Sequence, residues 1–198
     1  MVTDDRGQAH TLEGVVASLV LLSAVIFALE MTAVTPLSAS TSSQHLENQQ
    51  ESTARGILGS AAESGALKQS VLFWNETSEQ FHNTSAVGYY TSGPPPNEFG
   101  RMLNRSFDRQ GIAYNVYLGF TSAGGGRGDT RLVYQGRPSD NAVRATWTVP
   151  VFENDQIYDH EGQPTGTTVA ESSSFYASNA GDGAVYNVVR VEVVVWRI

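Results

Sequence analysis

The sequence predicts an α+β protein in which a long apolar N-terminal helix leads into an antiparallel β-sheet domain. Three observations point there. One uncharged apolar run stands near the N-terminus, helical spacing follows it, and segments rich in Val, Tyr, Trp and Ile fill the C-terminal half. The 198 residues leave room for one ordinary domain plus an appendage, and with 40% hydrophobic residues the chain can build a core.

The apolar run is Gly14 to Leu29, bounded by Glu13 and Glu30. At about 1.5 Å per residue it makes a helix somewhat shorter than a hydrocarbon core of roughly 30 Å, and Met31 to Leu37 can extend it. A membrane-spanning helix is the leading reading. Three others compete with it: the buried helix of a soluble domain, a secretory signal cleaved near or beyond Ala39, and a plain anchor helix that never assembles with anything. Pro36 is expected to kink or end the helix, because proline lacks the backbone donor and clashes with the preceding turn.

A second, amphipathic helix is expected from about Ser43 to Phe73. Leu46, Ala54, Ile57, Leu58, Ala61, Gly65 and Leu72 recur at helical spacing, with Glu47, Glu51, Arg55, Glu63 and Lys68 between them. Residues 75–98 are rich in Ser, Thr, Asn, Gly and Pro and read as loop. A short helix from Glu98 to Arg109 places Phe99, Met102, Leu103 and Phe107 on one side, with Gly111 as its stop. Strands are expected at Ile112 to Phe120, Arg131 to Tyr134, Asn141 to Phe152 and Ala184 to Ile198. Ala123 to Asp129 reads as a hairpin tip, Gly136 to Asp140 as another turn. In the last strand Arg190 and Glu192 alternate with valines, so it should be one-sided first and more fully buried toward Val195.

Charge and composition exclude several functions. Twelve basic against 20 acidic residues give a net charge of −8 with no basic cluster along the chain, which argues against nucleic acid as a partner. The absence of cysteine removes disulfides, thiolate metal sites and thiol chemistry. Lys68 is the only lysine. An acidic, lysine-poor surface suits a halophilic protein in very high salt, where repulsion is screened within about 3 Å; the other reading is a GC-rich genome that favours arginine codons.

No catalytic or metal constellation emerges, and no cofactor is expected. His10, His45, His82 and His160 lack metal-site spacing. The AGGGRG stretch lacks the Lys-Ser/Thr of a phosphate loop. Glu153, Asp155, Asp159 and Glu161 could gather oxygens around calcium but lack EF-hand grammar, so they read as a solvated acidic loop. Arg127-Gly128-Asp129 carries no adhesion claim. Three N-x-S/T acceptors, at Asn75, Asn83 and Asn104, fit an exported glycoprotein.

Arg6-Gly7-Gln8-Ala9-His10-Thr11-Leu12-Glu13, set before the apolar run, resembles the class III signal of archaeal type IV pilins and archaellins. Over about the first 50 residues the chain also resembles the N-terminus of haloarchaeal envelope proteins with pilin-like signals. In the pilin family a membrane peptidase cuts before the apolar run, so the helix stays in the mature protein. The resemblance implies a cut between Gly7 and Gln8. Glutamate commonly stands fifth in the mature family member; Glu13 is sixth after this cut and fifth after a cut behind Gln8. Physically, Glu13 can neutralise the new α-amino group inside an apolar bundle.

The implied organisation is a leader over 1–8, a transmembrane or filament-core helix over 9–37, an amphipathic stalk over 38–74 and an extracellular β-rich domain over 75–198, a pilin-like lollipop. The implied function is non-enzymatic: a pilin-like subunit, minor rather than major, of a type IV pilus-like surface filament. Its expected partners are the membrane, a prepilin-type signal peptidase and other pilin-like subunits. The other reading is a monomeric membrane-anchored extracellular binding domain of the cell envelope.

Overall fold

The computed structural model describes the backbone of residues 4–197, and side-chain surroundings at 10–31 and 44–197. The chain divides into two compact units, Met1–Leu46 and Glu47–Ile198. It is α+β, an N-terminal apolar helix followed by antiparallel sheets.

Helix α1 spans Asp4–Glu63 and crosses the boundary between the units. In the first unit it carries His10–Met31, 22 residues, the one stretch among the described residues long and apolar enough to cross a membrane. That length is about 33 Å of helix, matching a hydrocarbon core. Its large apolar side chains, Leu12, Leu19, Leu22, Ile26 and Phe27 among them, are all exposed. Its two serine hydroxyls are satisfied by the helix itself, Ser18 donating to the Val15 carbonyl and Ser23 to that of Leu19, both at 2.8 Å.

The expected stop at Pro36 does not occur, since α1 runs past it. One proline removes one backbone donor at a cost of about 3 kcal/mol, a local loss that the long apolar helical run before it and the packed helical stripe after it outweigh. The break comes later. Gly65 adopts φ 78°, a left-handed conformation that suits glycine, and separates α1 from α2, Ala66–Val71. The stalk predicted as one helix is therefore the end of α1 plus α2.

In the second unit Ala54, Ile57, Leu58 and Ala61 form an i, i+3, i+4, i+7 stripe and are buried. Arg55 and Glu51 pair on its exposed side. After α2 come the two-residue strands β1, Trp74–Asn75, and β2, Gln80–Phe81, paired antiparallel. Helix α3, Glu98–Ser106, starts at Asn97, whose side chain accepts the Gly100 amide at 3.0 Å. A short 3-10 turn, Asp108–Gln110, follows and stops at Gly111, φ 66°.

The remaining strands are β3, Ile112–Thr121; β4, Arg127–Tyr134; β5, Val143–Phe152; β6, Gln156–Tyr158; β7, Pro164–Thr168; and β8, Val185–Arg197. Four make the main antiparallel sheet in the order β4-β3-β8-β5, and β6 pairs with β7 separately. One sheet face holds Tyr114, Val116 and Leu118 of β3, Ala145, Val149 and Val151 of β5, and Val189, Val191, Val193 and Val195 of β8. These share one core with the α1 stripe, Leu67 of α2 and Phe99 and Leu103 of α3. The opposite face carries a small apolar cluster, Ala113, Val194 and Trp196, so β8 is buried on both sides toward its end, as its pattern predicts.

Two loop expectations need correction. The hairpin tip is only Ser122–Gly126, closed by the Ser122 amide on the Gly126 carbonyl at 2.9 Å; Arg127, Gly128 and Asp129 are already strand. Their alternation with the facing strand outweighs the turn-like composition. The 75–98 segment is not plain loop either. It contains β2, and Tyr90 bridges β4 through its amide on Leu132 O at 3.0 Å and its carbonyl on the Tyr134 amide at 2.8 Å. Phe81 and Tyr90 are buried, so apolar side chains pull a polar stretch onto the core.

Two substitutions probe this packing. Leu58→Ala should cost about 2–5 kcal/mol, read as a lower denaturation midpoint of the full chain in detergent. Gly100→Ala should destabilise although it lies in a helix, because a Cβ there meets the Pro95 carbonyl oxygen, a backbone atom that cannot swing away. A gain in stability from that alanine would contradict the packing described.

Candidate functional sites on the apolar helix and the open sheet face

Gly7 and Gln8 fall within α1 but outside the residues whose side chains are described. Glu13 is described. Its carboxylate lies 3.6 Å from the His10 Nδ1, one helical turn away, with both side chains more than three-quarters exposed (80% and 83%). A pair so exposed contributes little stability. What remains is a carboxylate at the mouth of an apolar helix, and nothing approaches the place a Cβ would take on the adjoining Gly14. Helical spacing sets Gly14, Ala17, Ala24 and Ala28 on one side of that helix.

The three glycosylation candidates differ. Asn83 is exposed in a turn with φ 60°, a conformation asparagine tolerates. Asn75 is half-buried and its side-chain oxygen accepts the Thr77 and Ser78 amides at 2.9 and 3.2 Å. Asn104 sits in α3, and its Nδ2, the atom a glycan would occupy, donates to Asp108 Oδ2 at 3.2 Å.

The histidines are less scattered than their spacing suggests. His82 and His160 approach with ring centroids 6.3 Å apart, and His82 Nε2 lies 3.0 Å from the Tyr158 carbonyl. Burial, chiefly, holds the His82 pKa below its ordinary 6.5. No group of three potential metal ligands occurs among the described residues. Nor do the acidic residues of 153–161 converge. Asp155 pairs with Lys68 at 2.6 Å and accepts the Phe152 amide, Glu153 accepts from Asn179, and Asp159 accepts the Glu161 and Gln163 amides. They organise turns around β6, a strand that the acidic composition concealed.

A groove of about 560 Å³ lies on the sheet face turned away from the helices. Tyr117 and Gly119 of β3, Arg127 and Asp129 of β4, Arg144 of β5 and Arg190 and Glu192 of β8 line it. Glu192, 19% exposed, stands 3.6 Å from Arg144 and 4.0 Å from Arg190, bracing both. The Arg190 guanidinium lies over Gly119, where a Cβ would sit 3.5 Å from Nη2. Sequence reasoning missed this site because its arginines are far apart along the chain; the alternation of Arg190 and Glu192 was the only local signal.

Two outcomes follow. Peptide mapping of the protein from its host should find glycan at Asn83 and none at Asn104, and Asn83→Gln should remove that mass. For His82, the folded chain disfavours the imidazolium relative to the unfolded chain, so the unfolded chain takes up the proton first. Stability should be complete above pH 6.5 and fall as the pH drops from 6.5 toward the depressed folded value. In His82→Gln the component lost over that window should vanish in denaturation midpoints.

The family described as "Family of unknown function (DUF7288)" matches residues 6–195, taking in the apolar helix and the sheet unit together. No curated protein and no solved structure matches the chain.

Proposed function

We propose that this chain, which belongs to the DUF7288 family, is a structural, pilin-like subunit of a cell-surface filament, a minor subunit rather than the major one. The observation that carries this reading is the exposure of His10–Met31. Apolar side chains over 22 residues are uncovered in a helix whose later turns pack on an antiparallel sheet. Surface of that kind needs lipid or other apolar helices around it. In a membrane it is a span; in a filament it is the shared core. The family match runs through both parts, which supports a helix retained with the sheet unit.

Assembly is then the mechanism. A prepilin-type peptidase cuts between Gly7 and Gln8 on the cytoplasmic side, and the second unit faces outward. Gly14, Ala17, Ala24 and Ala28 let neighbouring helices approach closely, while Val, Leu and Phe fill the bundle. The Glu13 carboxylate neutralises the freed α-amino group of its own chain or a neighbour, removing the penalty of an unpaired charge in an apolar bundle.

A monomeric, membrane-anchored extracellular binding domain is the second reading, favoured by the groove on the open sheet face. Glu13 separates the two. Leaving the amino group unpaired costs about 3–5 kcal/mol, so Glu13→Ala should cut assembly by roughly a hundredfold or more in membrane cross-linking, with the second unit still folded. Unchanged cross-linking would favour the monomeric anchor. Intact mass of the protein from its host's membranes gives the first check: a start at Gln8 or Ala9 supports pilin-type processing, and a start beyond Pro36 sinks it.

A further inference from the structure

The groove on the open sheet face contains more positive hydrogen-bonding capacity than it uses. The guanidinium groups of Arg127, Arg144 and Arg190 make no hydrogen bond among the described residues, and Glu192 meets the last two only at ion-pair distances. Arg144 and Arg190 are 68% and 55% exposed, held from below by a half-buried carboxylate. Guanidinium forks so placed fit carboxylates, which they can bind through two parallel hydrogen bonds. On a chain with a net charge of −8 such a site is exceptional, and its complement is abundant on the same chain.

One well-formed complement is the turn between β6 and β7. Asp159 closes it by accepting the Glu161 and Gln163 amides, and Gly162, φ 79°, completes it. Glu161 projects there, 71% exposed, its carboxylate 3.9 Å from the His160 Nε2. The turn is fixed on the helical side of the unit. Gln69 Nε2 of α2 donates to the Gly162 carbonyl at 2.9 Å, the Tyr158 amide donates to Leu72 O at 2.9 Å, and Lys68 pairs with Asp155 at 2.6 Å. The groove is on the other face of the sheet, so turn and groove of one molecule cannot meet.

We infer that the open sheet face is a docking surface for a second copy of this chain, whose Asp159–Gln163 turn brings Glu161 to Arg127, Arg144 and Arg190. The contact is heterologous, front of one unit to back of the next. Repeated, it propagates instead of closing as a two-fold dimer. This rests on the filament reading and names the contact its outer units make.

Because the chain has no cysteine, introduced thiols report it cleanly. Thr148→Cys lies beside Arg190 in the strand register, and Gln163→Cys lies in the exposed turn. The full chains carrying each substitution are co-expressed in membranes and treated with a short bis-maleimide. Thr148–Gln163 products should dominate over either self-pair. Charge reversal places like charges together, so Arg144→Glu with Arg190→Glu, or Glu161→Arg alone, should each lower the yield about tenfold, and combining the two in opposite partners should restore it. Glu161→Arg sits on an exposed turn and leaves the core untouched, so its effect does not depend on whether the double reversal folds.

The inference is overturned if Thr148 self-pairs dominate, or if Glu161→Arg leaves the yield unchanged. It is also overturned if no groove-to-turn product forms while Ala17→Cys chains still cross-link through their helices; the filament reading then stands. If the Ala17 pairs fail as well, the filament reading falls with it.

Discussion

Everything in the second unit depends on how β8 pairs. It is the last strand in the chain, yet it lies between β3 and β5 and hydrogen-bonds to both along most of its length. Without it, the β3–β4 hairpin and β5 share no sheet, and the buried stripe of α1 has no floor. Its alternate valines, Val189 to Val195, supply the middle of that floor. A closing strand drawn from the chain's end makes the core a set of long-range contacts, for which loop-closure entropy must be met before packing repays it.

The same demand for apolar cover treats the two parts of α1 differently. Ala54, Ile57, Leu58 and Ala61 find theirs inside the chain, on the sheet. Leu12 to Met31 do not. A stripe repeating at helical spacing can be satisfied by one sheet face, whereas a helix apolar all around needs surroundings on every side. That difference leaves one end of the helix packed within the second unit and the other with its apolar side chains uncovered. Glu13 stands within the first turn of that uncovered stretch.

The polar chemistry is distributed in a similar way. The carboxylates around β6 serve turns and hold the β6–β7 hairpin to α2, which is why they do not gather into a metal site. The arginines of the open face come from three strands and are gathered by register: Arg144 faces Val194, Thr148 faces Arg190, and Gly119 faces Arg190 from the other side. Gly119 is small enough for the guanidinium to lie flat over it.

Local pattern was enough for much of this. The apolar run, the stripe at Ala54 to Ala61, the short helix stopped by Gly111 and the four long strands were all legible, because helical and strand periodicity act between residues close in sequence. Composition alone also separated the apolar helix from the polar stretch at 75–98. What it could not tell was that Phe81 and Tyr90 anchor that stretch, that β6 lies within an acidic run, or that α1 continues past Pro36 and breaks at Gly65. Those outcomes depend on competition between local preference and burial elsewhere. The His82–His160 approach and the arginine groove were beyond local reading for a simpler reason. Each joins residues from distant segments, and only the register of β8 and the docking of β6 decide that they meet.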